Sequence, residues 1–181
     1  VIAAAAIGLS WYARQFQSKL VLSYLFAALD VYVSALCLVS FRKPIQIWKL
    51  FLLSQLFFYS SSYLFERESA MGIMVYAMSA IPCWLLGYHV LKDLPDIDMT
   101  KLNGLYKQYP EKSRLFFVVF IGMTALPFST TFWGEDLIFA EIIVQGPVIM
   151  ALTALSLMIN ALIVTRLMVK IFWGHPVRYN Y

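Results

Sequence analysis

Long apolar runs decide what this chain can fold into. Leu20 to Phe41, Ile47 to Phe65, Ala70 to Leu91, Leu115 to Val144 and Pro147 to Trp173 are each almost free of charge. A hydrocarbon core of about 30 Å is crossed by roughly 20 residues of helix, and inside it every backbone polar group must be bonded within its own segment. Of the 181 residues 61% are hydrophobic and 13% charged, and the mean hydropathy is +0.74, which takes the chain out of the range of soluble domains. The expected fold is all-α: a polytopic transmembrane helix bundle, one transmembrane domain over 1–181. Val1 to Tyr12 is too short to cross alone and reads as the end of a helix that begins upstream, so about five to six spans are expected.

The connections carry the basic residues. Alternating sides puts Arg14, Lys19 and Arg67 on one face, and Arg42, Lys43, Lys92, Lys101, Lys107, Lys112, Arg114 and Arg178 on the other. The positive-inside rule assigns the richer face, with the carboxy terminus and the connecting loop 92–114, to the cytoplasm or matrix. In that loop "DLPDID" stops the preceding helix, and "KLNGLYKQYPEKSR" is expected to hold a short interfacial helix. The net charge of +4 is thus topology information and points to a bilayer, not to nucleic acid. Cys37 and Cys83 sit in apolar runs without ligand spacing and read as packing residues, so no metal site is expected. With no phosphate loop, dinucleotide fingerprint or haem or cluster pattern, neither a cofactor nor a catalytic site of the chain's own is expected.

An ionisable group at membrane depth costs at least about 2.5 kcal/mol, so each one needs a reason. Asp30 lies in the middle of Leu20 to Phe41. Glu135 and Asp136 lie just beyond the centre of Leu115 to Val144, and Glu141 lies toward its outer end. His89 and Lys49 are near helix ends, where anchoring by snorkelling competes with any functional role. Arg166 and Lys170 are four residues apart and share a face of the last span, with Asn160 at mid-depth. Arg166 reads as a helix-pairing cation and Lys170 as an anchor or relay. Asp30, Glu135, Asp136 and His89 are the candidates for proton transfer.

The run "LPFSTTFWGEDLIFAEI" from Leu126 adds a proline to this list. Pro127 removes a donor and frees a carbonyl, and the hydroxyls of Ser129, Thr130 and Thr131 can satisfy what is left over. A helix discontinuous at Pro127 follows, with a simple kink as the competing reading. Glu135 and Asp136 would then stand near the start of the second half-helix, where its dipole favours negative charge. Two carboxylates so close in low dielectric should not both ionise.

The stretch from Met99 past Trp133 resembles the antiporter-like membrane subunits of respiratory complex I, the large Mrp antiporter subunits and the membrane partners of inorganic-carbon uptake systems. Gly104, Leu105, Lys107 and Pro110 match a loop motif of that family, and Pro127, Phe128, Phe132, Gly134 and Glu135 match its helix break. Arg166, Phe172 and Gly174 fit the end of its next helix. The resemblance implies that Glu135 is a terminal proton-transfer site. It also implies a carboxy-terminal part, or a divergent short form, of such a subunit. The chain departs where the family has a His and a Lys before the loop, since Tyr76 and Ala80 stand there, and Lys49 is only weakly similar to its upstream motif.

The expected function is a proton-translocating or proton-coupled, antiporter-like subunit of a larger complex. One alternative is a structural subunit that kept the fold and lost the relay; another is the membrane subunit of an inorganic-carbon uptake complex. The implied partners are other membrane subunits, lipid and protons, with sodium as the competing ion. The implied setting is an energy-transducing membrane, bacterial or mitochondrial, and a translocase of the proton-pumping NADH:quinone oxidoreductase type.

Overall fold

The computed structural model describes residues 19–40, 43–64, 69–95 and 97–174. Val1 to Tyr12, Arg14, Arg42, Arg67 and Arg178 lie outside them. The described residues form α1 (Lys19–Val39), α2 (Pro44–Tyr63), α3 (Ser69–Lys92), α4 (Pro110–Met123), α5 (Thr130–Gln145) and α6 (Pro147–Phe172), and no strand occurs among them. Proline opens α2, α4 and α6, at the turn where a missing N–H costs nothing.

Among the described residues three helices are long and apolar enough to cross a membrane: Val21–Val39, Met71–Lys92 and Pro147–Phe172. Helix α2 has the length, at 20 residues, but a more polar sequence. Its Ser54, Gln55, Ser60, Ser61 and Ser62 are all buried, because α2 packs against α1, α3 and α6 and turns these groups inward. Apolar side chains such as Val21, Met71, Met78, Leu85 and Val144 are exposed instead. Polar groups inside and apolar groups outside suit a bundle whose solvent is lipid.

Helices α4 and α5 have 14 and 16 residues, roughly 21 and 24 Å long, each too short to span alone. Together they track α3 in the antiparallel sense. Lys112 at the start of α4 donates to the Asp93 carbonyl just past the end of α3, at 2.9 Å. Gly122 faces Cys83, Gly134 faces Tyr76, and Gly72 near the start of α3 faces Leu137 and Ile138. The two are therefore halves of one crossing, interrupted over Thr124–Ser129 around Pro127.

The interfacial helix expected within 101–114 does not form. Residues 101–109 are irregular with a turn over 105–108, and α4 begins only at Pro110. The reason is where the amides go. Asn103, Gly104, Leu105 and Tyr106 donate their N–H groups to the carbonyls of Lys170, Trp173, Ile171 and Phe172 at 3.0 to 3.3 Å. These are the carbonyls that a helix end leaves unpaired, so the loop bonds α6 rather than itself. Gly104 makes the turn at φ 62°, a conformation glycine adopts without cost.

Candidate functional site

The break is built from hydroxyls. At the end of α4, Thr124 returns both its N–H and its Oγ1 to the Phe120 carbonyl, at 3.0 and 2.7 Å. Ala125 follows at φ 46°, the only non-glycine with positive φ among the described residues. Ser129 caps α5 by accepting from the Phe132 N–H, and Thr131 reaches back across the gap to donate to the Gly122 carbonyl. Backbone groups freed around Pro127 are thereby satisfied inside the protein.

Glu135 falls in the second turn of α5, not at its start. The first turn holds no acid, so the helix dipole, which fades within one turn, does not account for either carboxylate. Nor do Glu135 and Asp136 share a site. Neighbours on a helix stand about 100° apart; Asp136 is exposed on the outer face beside Trp133 and Leu137, while Glu135 is half-buried. The Glu135 carboxylate makes no hydrogen bond among the described residues.

Tyr76 packs against the helix just before that acid. Gly134, immediately before Glu135, lies so close that a Cβ would sit 2.5 Å from the Tyr76 nitrogen. The fully buried Tyr76 hydroxyl donates to Gln55 Oε1 at 2.7 Å, and its ring packs on Phe58 and Tyr59. Three further buried atoms, Gln55 Nε2, Tyr59 OH and Trp84 Nε1, have no partner among the described residues. Such atoms between α2 and α3 are where internal water is held in proteins.

A second polar cluster joins α1, α2 and α6. Asp30 is 1% exposed. Ser156 Oγ bonds its Oδ2, and Ser34 Oγ lies 3.3 Å from its Oδ1. Ser34 Oγ is also 2.8 Å from Asn160 Oδ1, and Asn160 Nδ2 is 3.4 Å from Ser156 Oγ. Ser54 Oγ on α2 is 2.8 Å from the Phe51 carbonyl and 3.3 Å from Asn160 Oδ1. Ser54 thus faces the Asp30 cluster while its neighbour Gln55 faces Tyr76, so α2 stands between the two acids.

The remaining candidates lie apart. Arg166 bonds the Leu38 carbonyl in the last turn of α1, where a cation is favoured. Lys170, on the same face of α6, bonds the Thr100 carbonyl at 3.0 Å and pins the loop. Lys49 and His89 are exposed near helix ends, and Glu141 is half-buried on α5. Sequence reasoning passed over Gln55, Ser34 and Ser156. Spacing offered a signal for two of them: Ser34 stands one turn from Asp30, and Ser156 one turn from Asn160, on otherwise apolar helices.

The family model described as NADH:quinone oxidoreductase/Mrp antiporter, transmembrane, matches residues 52–161. The matched span runs from α2 into α6 and includes Tyr76, Pro127, Glu135, Ser156 and Asn160, whereas Asp30 and Ser34 precede it. No curated protein matches the chain.

Proposed function

Since the chain belongs to the NADH:quinone oxidoreductase/Mrp antiporter transmembrane family, we propose that it serves as a proton-coupled membrane subunit of a larger complex and that Glu135 is its proton-transfer site. One observation carries the reading: an intramembrane carboxylate, half-buried and without a hydrogen-bond partner among the described residues, on the half-helix that follows a break. An acid that is not clasped can gain and lose its proton without dismantling a network. Tyr76, Gln55 and the unpartnered Tyr59 and Trp84 groups supply polar atoms for a hydrated route from Glu135 toward α2. Asp30 lies beyond α2 on that route. Asp136 and His89, both exposed, are suited to contacts with a neighbouring subunit. The loop-bearing end of the bundle, where Lys92, Lys101, Lys107, Lys112 and Arg114 gather, faces the cytoplasm or matrix of an energy-transducing membrane.

A structural role is the second reading, and Tyr76 and Ala80 favour it. Both are fully buried among apolar and aromatic neighbours at positions where the family resemblance leads one to expect a His and a Lys. Proton pumping by the intact complex in proteoliposomes separates the two. Glu135→Gln that assembles normally should abolish pumping if Glu135 carries protons, whereas unchanged pumping leaves the chain a scaffold.

A further inference from the structure

The Asp30 cluster closes into a ring. Asp30 Oδ1 meets Ser34 Oγ, Ser34 Oγ meets Asn160, Asn160 meets Ser156 Oγ, and Ser156 Oγ meets Asp30 Oδ2. Each of these contacts joins two electronegative atoms inside the bundle, and a proton of its own at each is the arrangement in which no hydroxyl is shared between two acceptors. Ser34 and Ser156 have one hydroxyl proton apiece. Asn160 presents its Nδ2 to one serine and its Oδ1 to the other, and so contributes at one contact only. Turning the amide over exchanges the two contacts and leaves that count the same. The ring is therefore one proton short, with Ser34 left to share its single proton between Asn160 and Asp30, unless the Asp30 carboxyl brings its own. Ser54 does not close the deficit. Its hydroxyl lies 2.8 Å from the Phe51 carbonyl, and even if it turned to Asn160, the 2.8 Å contact between Ser34 and Asn160 would still need its own proton.

We infer that Asp30 is a proton-binding site, with its carboxyl held as the neutral acid in a closed hydrogen-bonded ring shared by α1 and α6, and that the ion bound there is a proton and not sodium. With the proton in place every contact has a donor: Asp30 Oδ1–H to Ser34, Ser34 to Asn160 Oδ1, Asn160 Nδ2–H to Ser156, and Ser156 to Asp30 Oδ2. The Ser34–Asn160 contact of 2.8 Å is a full hydrogen bond, and the contacts of 3.3 and 3.4 Å are long, weaker ones that complete the ring. Ser156 bonds Asp30 directly and Ser34 bonds Asn160 directly, as oxygens do across a proton rather than around a metal ion. No cation of the described residues lies within ion-pair distance of Asp30, so the proton is what neutralises it. The use made of that proton rests on the proton-transport reading, whereas the binding itself does not.

Infrared spectroscopy of the full chain in lipid, with carbon-13 at the aspartate side-chain carboxyl, tests the binding without reference to pumping. The chain has Asp30, three aspartates within 93–98, and Asp136. At neutral pH a labelled carboxylic-acid C=O band is expected. It should vanish in Asp30→Asn, persist in Glu135→Gln, and be indifferent to saturating sodium. Should Asp30→Asn fail to insert, Asp136→Asn serves instead, since it leaves Asp30 the only aspartate outside the 93–98 loop, and the band should remain. Carboxylate bands alone, or an acid band that sodium removes, would overturn the proposal. Failure of Glu135→Gln to alter pumping while the Asp30 band is present would defeat the transport reading and leave the proton site standing.

Discussion

Asp30 and Glu135 are both carboxyl groups at membrane depth, yet the protein treats them in opposite ways. Asp30 is 1% exposed and bonded by hydroxyls of its own helix and of α6, with the Asn160 amide closing the ring; Glu135 is half-buried, stands one residue after a glycine that brings its helix against Tyr76, and has no hydrogen bond among the described residues. An enclosed group contributes to holding helices together, and changing it is felt as lost stability. An open group contributes little to packing, and changing it is felt in turnover. Charge inside a membrane bundle is thus not one kind of feature, and the polar atoms within bonding distance tell the kinds apart.

Gly134→Val is the harshest test of that contrast, because it strikes stability on the open side. The added atoms would press on the Tyr76 backbone, which cannot rotate away, at a cost of about 3 kcal/mol. Loss of the assembled complex on native gels is expected, and normal assembly would mean that the break is not held by this contact. Glu135→Gln comes next: proton transfer should fall about a hundredfold with the melting temperature unchanged. A lowered melting temperature would erase the distinction between the two acids. Ser156→Ala opens the Asp30 ring and should cost about 2 kcal/mol, read as a lower unfolding temperature in detergent, while pumping falls much less than in Glu135→Gln. Ala125→Gly relaxes the left-handed residue in the break and should stabilise by about 1 kcal/mol. No gain in unfolding temperature would show that Ala125 is not strained.

The smallest effect lies outside the membrane. The Thr100 hydroxyl, the Thr100 N–H, and the nearby Lys101 and Lys170 hold the exposed Asp98 carboxyl below its usual range. A lowered folded-state value means the contribution is present above the unfolded value, near about pH 4, and is lost as the pH falls through the folded one. Protection of the amides in residues 97–106, measured relative to their intrinsic exchange rates, should therefore fall below about pH 4; protection that ignores acid would remove Asp98 from the account.

Most of the helix boundaries were legible in the sequence, because a lipid-facing helix must be apolar over its length and this chain interrupts its runs with proline and charge. Pro127 with its following hydroxyls announced the break. The mid-helix position of Asp30 was legible too, but its partners were not: Ser156 is 126 residues away, and only folding brings α6 against α1. The same holds for Tyr76 and Gln55, which look like core residues until α2 and α3 meet. Lys101 to Arg114 misled in the other direction. Its composition suits an interfacial helix, but the unpaired carbonyls of α6 compete for the same amides and win.

That competition also sets an order of events. The amides of residues 103–106 leave the ribosome well before the carbonyls of residues 170–173 that they will bond. Until α6 is threaded into the bilayer, the loop has no template for its shape, and the end of α6 in turn has no cover until it meets the loop. Helix α6 thus locks a segment made some 70 residues earlier, so the loop takes its final shape only once α6 has been inserted.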